Sequence, residues 1–245
     1  MKNWSPLLLT LLFSGTLAYN LSPIVSQSAT ASSRMTAPKS DTDLEKRAIE
    51  LINAFQRKDY AQVHSFLAEP LRDYWTPKKI GNFWQGKILP EQGDIVKVIS
   101  QKQENIVNGF LVILRIQFTK SISNVTIIFN KQGELVGYDF PRTGNIEDIA
   151  KSFVEDVFQG KYASARYFLH PYLKVEIFPE KIKKKTQVAQ ARLGSFQKVL
   201  SVDVQPLNAD QDLAIVKVQF EKAAHDILVT FDKQKNIVGV DSPQN

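Results

Sequence analysis

Apolar positions recur at helical spacing twice along the chain, at Leu44, Ala48, Leu51, Ile52 and Phe55, and again at Ile149, Phe153, Val157 and Phe158. Residues three and four apart share one face of a helix, so each set predicts an amphipathic helix. Asp43 and Asn145 stand where N-caps are wanted. A short second helix is expected over 60–67 and 162–169. A third begins after Pro77 and Pro179, because proline suits a first helical turn. The period then changes. Near-alternating or wholly apolar runs at 95–99, 110–118, 125–129 and 135–138, and at 196–204, 213–220, 227–231 and 237–240, predict four strands in each half. Turn-forming residues at 131–134 and 232–236 join the last two strands of each half as a hairpin, which makes the sheets antiparallel. Val112, Leu114, Ile116 and Phe118, like Ala214, Val216, Val218 and Phe220, fall on one strand face and need the helices as cover. Arg115, Gln117, Lys217 and Gln219 fall on the other, which reads as a solvated outer face.

The two halves are one pattern repeated. Ile116-Gln117-Phe118 and Val218-Gln219-Phe220 are in the same register as Phe129 and Phe231, Lys131-Gln132 and Lys233-Gln234, and Val136-Gly137 and Val238-Gly239. Tyr60-Ala61 against Tyr162-Ala163, Phe66-Leu67 against Phe168-Leu169 and Pro77 against Pro179 extend it upstream, with small slips at Phe55/Phe158 and Gly93/Gly194. A chain of 245 residues is comfortable for two such units, each able to bury a core. The fold class expected is α+β. The domain boundaries expected are a first repeat at 44–141 and a second at 146–245, joined by the short link 140–145.

The N-terminus changes the picture of where the protein works. Lys2 precedes an apolar run at 7–13, and Ala29-Thr30-Ala31 supplies the small-x-small pattern of a signal peptidase site. Residues 1–31 read as a signal peptide and 32–43 as a flexible leader. The competing reading keeps the segment uncleaved as an anchor, which is then the only membrane contact expected. Either way the chain is exported, to a periplasmic or extracellular destination. There is no cysteine, which removes disulfides, thiol nucleophiles, thiolate metal sites and a lipid-modified N-terminal Cys. A net charge of +6 is mildly basic and does not point to nucleic acid.

Among chemistry-bearing patterns, the chain has no G-x-S-x-G elbow, Walker loop, dinucleotide glycine fingerprint or H-E-x-x-H. His64, His170 and His225 are too scattered to read as a metal set, and Asp210 and Asp212 read as turn residues. No catalytic residue, metal or cofactor is assigned. Lys181, Lys183, Lys184 and Lys185 form the densest basic run and are the candidate surface for an anion or acidic partner; a solvated helix face or end is the competing and more ordinary reading. Tyr74, Trp75, Phe83 and Trp84 cluster around the third helix and are the candidate ligand-binding residues, with Trp84 as a pocket wall; capping the core is the competing role.

Thr76-Pro77, Trp84, Gly93-Asp94-Ile95, Phe118, Phe129 and Val136-Gly137 carry a resemblance, continued by Phe178-Pro179, Gly194-Ser195-Phe196, Phe220, Phe231-Asp232 and Val238-Gly239. On these residues the chain resembles, in two tandem copies, an uncharacterised bacterial exported domain family of the nuclear-transport-factor-2-like superfamily. The resemblance implies two cone-like domains, each about three N-terminal helices on a curved four-stranded antiparallel sheet, with room for a cavity and no assigned reaction. The second half has Thr186 where the family's Trp is expected, so if the fold holds a Trp-lined pocket, only the first half should have it. The function expected is a non-catalytic exported binding module for an envelope protein or small ligand. The alternative is a cavity enzyme of hydrolase or isomerase type, using a helix-borne acid or base.

Overall fold

The computed structural model describes residues 41–142 and 144–242; the segment read as a signal peptide and most of the expected leader lie outside the described residues. The first half runs α1 (Asp41–Gln56), α2 (Tyr60–Phe66), α3 (Glu69–Arg72), α4 (Pro77–Phe83), a π-helical segment (Trp84–Ile88) and α5 (Leu89–Gln92), then β1 (Ile95–Ile106), β2 (Gly109–Phe118), β3 (Ile122–Asn130) and β4 (Leu135–Asp139). The second half runs α6 (Ile146–Phe158), α7 (Tyr162–Tyr167), α8 (Pro171–Lys174) and α9 (Pro179–Leu193), then β5 (Phe196–Asn208), β6 (Gln211–Phe220), β7 (Ala224–Asp232) and β8 (Ile237–Asp241). Each half therefore forms an α+β unit with a four-stranded antiparallel sheet in sequential order.

Local chemistry accounts for most of the boundaries. Asn145 accepts the Asp148 amide at 2.7 Å and caps α6 as expected. Thr76 caps α4 through the Lys79 amide, with Pro77 in the first turn. Asp43 differs from expectation: α1 already runs from Asp41, so Asp43 lies inside the helix and the last residues assigned to the leader are helical. The single-turn helices α3 and α8 are additions too short for periodicity to reveal. Strands β1 and β5 extend well past 99 and 204, because pairing with β2 and β6 continues where the polar, exposed side chains show no alternation.

The apparent slips between the halves have a structural basis in one case and none in the other. At Phe55/Phe158 nothing is inserted, since Lys58 and Gly160 occupy matching left-handed turn positions (φ 59° and 78°) in the main register. Phe55 therefore corresponds to Val157. At Gly93/Gly194 the first half is one residue longer because its helix contains the π segment at Trp84–Ile88, whereas α9 runs unbroken. A π turn is one extra residue inside a helix. The register is recovered in β5, where the pairing skips a residue between Pro206 and Asn208 and the first half has no such bulge.

The inward strand faces are as expected: Val112, Leu114, Ile116, Ala214, Val216, Val218 and Phe220 are completely buried, and Phe118 nearly so. The outer face of the first sheet is only partly solvated, which corrects the sequence reading. Arg115 remains exposed, but Leu111, Ile128 and Val136 pack against Val175 and Phe178 of the second half. Every residue of β4 is buried in consequence, whereas β8, its counterpart, is mostly half-buried.

Polar groups lock this junction. Asp139 on β4 accepts from the Lys174 ammonium at 3.1 Å and from the Arg142 guanidinium at 2.7 Å. The Lys174 side chain is 1% exposed. Arg166, also buried, donates to the carbonyls of Val136 and Ile177 at 2.6 Å and to that of Lys174, spanning both halves. Tyr167 lies beneath Arg142 and Lys174 as a cation-π partner for both.

Candidate functional site

The two cores are built on the same plan but filled differently. In the first half Phe55, Trp84, Tyr138 and Phe140 form a closed aromatic cluster, with Trp84 stacked on Phe55 at 5.0 Å and edge-on to Phe140 at 5.5 Å. Tyr138 meets Phe55 at 5.3 Å and Phe140 at 5.9 Å. All four side chains are nearly or completely buried. In the common register their counterparts are Val157, Thr186, Val240 and Ser242. Four rings become two valines, a threonine and a serine. Interiors are close-packed, so volume withdrawn at four adjacent positions leaves a void unless the backbone closes over it. Here it stays open. A cavity of about 210 Å³ occupies the second half, and all four of those residues line it.

The wall is otherwise apolar, with Phe153, Val154, Leu169, Ile182, Phe220 and Ile227 among its members. Phe158 of α6 stacks on Phe196 at 5.6 Å, and both rings meet Phe220 edge-on. The polar contributors are few. Thr186 turns its hydroxyl back to the Ile182 carbonyl at 2.9 Å, which presents its methyl side elsewhere. His225 Nε2 and Ser242 Oγ are hydrogen-bonded at 2.5 Å. Burial and nearby Arg192 lower the imidazole pKa, favouring the neutral ring. Lys181, Lys185 and Arg192 also line the cavity, and none of its lining residues is a carboxylate.

The sequence-predicted residues divide between several places. Trp84 is a filled-core residue at 1% exposure, so the expectation of a Trp-lined pocket in the first half is corrected: the indole closes the space that Thr186 leaves open. Tyr74, Trp75 and Phe83 do come together, along a groove of about 460 Å³ with Lys79, Lys87, Lys161 and Tyr162. Their rings are engaged in packing as well. Phe83 meets Tyr167 of the second half at 4.8 Å and Trp75 at 5.5 Å, while Tyr74 donates to Glu180 at 2.9 Å. Phe83 and Tyr74 thus join the halves. The lysine run splits by helical geometry: Lys181 and Lys185, one turn apart, reach the cavity, Lys183 pairs with Glu180 at 3.6 Å, and Lys184 is exposed.

Of the histidines, His64 is half-buried beside the Arg72 carbonyl, and His170 caps α8 and lies 3.7 Å from Asp232. Sequence reasoning missed His225 and Ser242 as cavity residues. A signal was available, since the 102-residue register pairs Phe140 with Ser242 and Tyr138 with Val240, but alignment alone does not tell whether lost volume is refilled. Among the described residues no group of His, Asp or Glu is arranged to hold a metal, and no helix is long and apolar enough to cross a membrane.

Residues 150–240, the greater part of this cavity-bearing half, match a protein family described as "Protein of unknown function (DUF3887)". No curated protein matches the chain. One solved structure, described as "Ntf2 like protein involved in plasmid conjugation", aligns with 82% of this chain and 99% of its own at 14% identity, with a TM-score of 0.27.

Proposed function

We propose that the protein is a non-catalytic exported binding module, built from two tandem cone-like copies of one domain, whose second copy holds a small apolar ligand. The observation that carries this reading is the coordinated replacement of Phe55, Trp84, Tyr138 and Phe140 by Val157, Thr186, Val240 and Ser242, all four at the wall of the cavity. The first copy then serves as a packed scaffold, joined to the second through Asp139, Lys174 and Arg166. Export rests on the signal-like layout of residues 1–31. An apolar cavity of roughly 150 Å³ is enough to stay dry and take up benzene, and drug-sized sites run from about 300 Å³ upward. At about 210 Å³ the space suits one ring or one alkyl chain.

Calorimetric titration with benzene and with 1-octanol tests the reading. Both are expected to bind the native protein, and Thr186→Trp, which rebuilds the first-half plug, is expected to abolish binding while raising the melting temperature through cavity filling, by about 0.5–2 kcal/mol of stability. Ser242→Phe approaches the same space from the sheet side and is expected to weaken binding independently. Binding that survives both substitutions would place the ligand elsewhere.

One observation favours an enzyme instead. The Ser242 hydroxyl and the His225 imidazole stand at the separation of a nucleophile and its general base. Among the described residues, however, no carboxylate is hydrogen-bonded to the other ring nitrogen of His225, so the base lacks the group that usually orients it. Turnover of short-chain p-nitrophenyl esters that Ser242→Ala eliminates would replace the binding reading with a hydrolase.

A further inference from the structure

The face of α9 that closes the cavity carries a second coordinated change. Lys181, Lys185 and Arg192 lie at positions i, i+4 and i+11, three cations along one helical stripe, and all three line the cavity together with the apolar Ile182, Val188 and Leu193. The corresponding first-half residues are Lys79, Phe83 and, counting back from the matching Gly93 and Gly194, Glu91. One apolar and one acidic position have therefore become basic in the same half that has lost its aromatic plug. His225, a further potential donor, approaches from β7. None of the residues lining the cavity is a carboxylate.

We infer that the cavity takes a single-chain amphiphile with an anionic head, its alkyl tail enclosed between α9 and the second sheet and its carboxylate or phosphate held at the mouth by Lys181, Lys185 and Arg192. The inference rests on the proposed binding role of the cavity and specifies its ligand class. Size, wall and rim agree. About 210 Å³ encloses a short tail but not a head group in addition, the wall offers a buried head no acidic or amide partner, and the rim offers ammonium and guanidinium donors at the solvent boundary. Such charge-assisted hydrogen bonds are stronger than neutral ones, and an anion at the boundary avoids the desolvation that burial would impose. The opposing role for these side chains is purely apolar, with their long stems covering the wall while the charges remain in water. The two roles differ in one measurable respect. Stems alone are indifferent to the charge of the ligand.

The experiment is calorimetric titration of the purified full chain with ligands of equal tail length: octanoate, octyl phosphate, 1-octanol and octylammonium. Octanoate, octyl phosphate or both are expected to bind about tenfold or more tightly than octanol, with octylammonium weakest. The tighter anion identifies a carboxylate or a phosphate source. Raising the salt concentration should weaken the anions and spare octanol. Within the triple variant Lys181→Gln, Lys185→Gln, Arg192→Gln the anions should bind no more tightly than octanol, and Arg192→Gln alone supplies the direction of the effect in a less altered protein. Equal binding of octanol and both anions to the native protein would overturn the head-group assignment and leave the cavity reading standing. Tighter binding of octylammonium would also overturn it. Binding of none of the four, or binding that Thr186→Trp leaves intact, would instead remove the cavity reading beneath it.

Discussion

Asp139→Ala destabilises the protein by about 3–5 kcal/mol, because it leaves the Lys174 ammonium and the Arg142 guanidinium buried without their shared counter-charge. The cost comes chiefly from stranded charge. Removing the cation instead has a different expected result: Lys174→Met substitutes an apolar chain of similar reach, leaves Asp139 paired with Arg142, and is expected to be neutral or mildly stabilising. Urea unfolding of the two variants separates these outcomes, and equal losses would mean that packing, not charge, dominates the site. The pH dependence gives a second readout. Burial lowers the Lys174 pKa from its ordinary 10.5 to about 7, against the opposing pull of Asp139. Between those values the unfolded chain binds more protons than the folded one, so this residue makes stability rise with pH across the window. Lys174→Met should remove that component of the rise.

Trp84→Ala is expected to cost about 3–5 kcal/mol, the range for deleting a large buried ring whose surroundings cannot collapse. The surroundings here are Phe55 and Phe140, themselves locked by Tyr138. Trp84→Phe should cost much less, since the buried indole nitrogen has no hydrogen-bond partner to lose. The alanine variant is also expected to acquire in the first half a dry, apolar space resembling that of the second. Thermal unfolding measures the loss, and benzene titration reads the new space. A loss below about 1 kcal/mol would show that the π segment carrying Trp84 relaxes to fill the gap.

Much of this organisation was legible in the residues. Helical and strand periodicities are local properties of hydrophobic burial, so α1, α6 and the inward faces of β2 and β6 follow from them directly. The repeat, the cap at Asn145 and the proline-led starts of α4 and α9 are equally local. The candidate site was legible only in part. Thr186 stood out as a departure, but the sense of that departure was inverted: a tryptophan suggests a pocket wall as readily as a plug, and the difference lies in whether its neighbours close around it. Phe55, Tyr138 and Phe140 are brought to Trp84 from α1, β4 and the segment after it, contacts between residues far apart in sequence.

The sequence by itself determined the α+β class of fold and the inward faces of β2 and β6, because those depend on which side chains water rejects. Tertiary structure decided which half is full and which is hollow, that Lys181, Lys185 and Arg192 line one cavity, and that part of the outer face of the first sheet lies against the second half. Packing is a property of volumes meeting in three dimensions. Positions 157, 186, 240 and 242, far apart in the chain, line one cavity because the fold brings them to the same place.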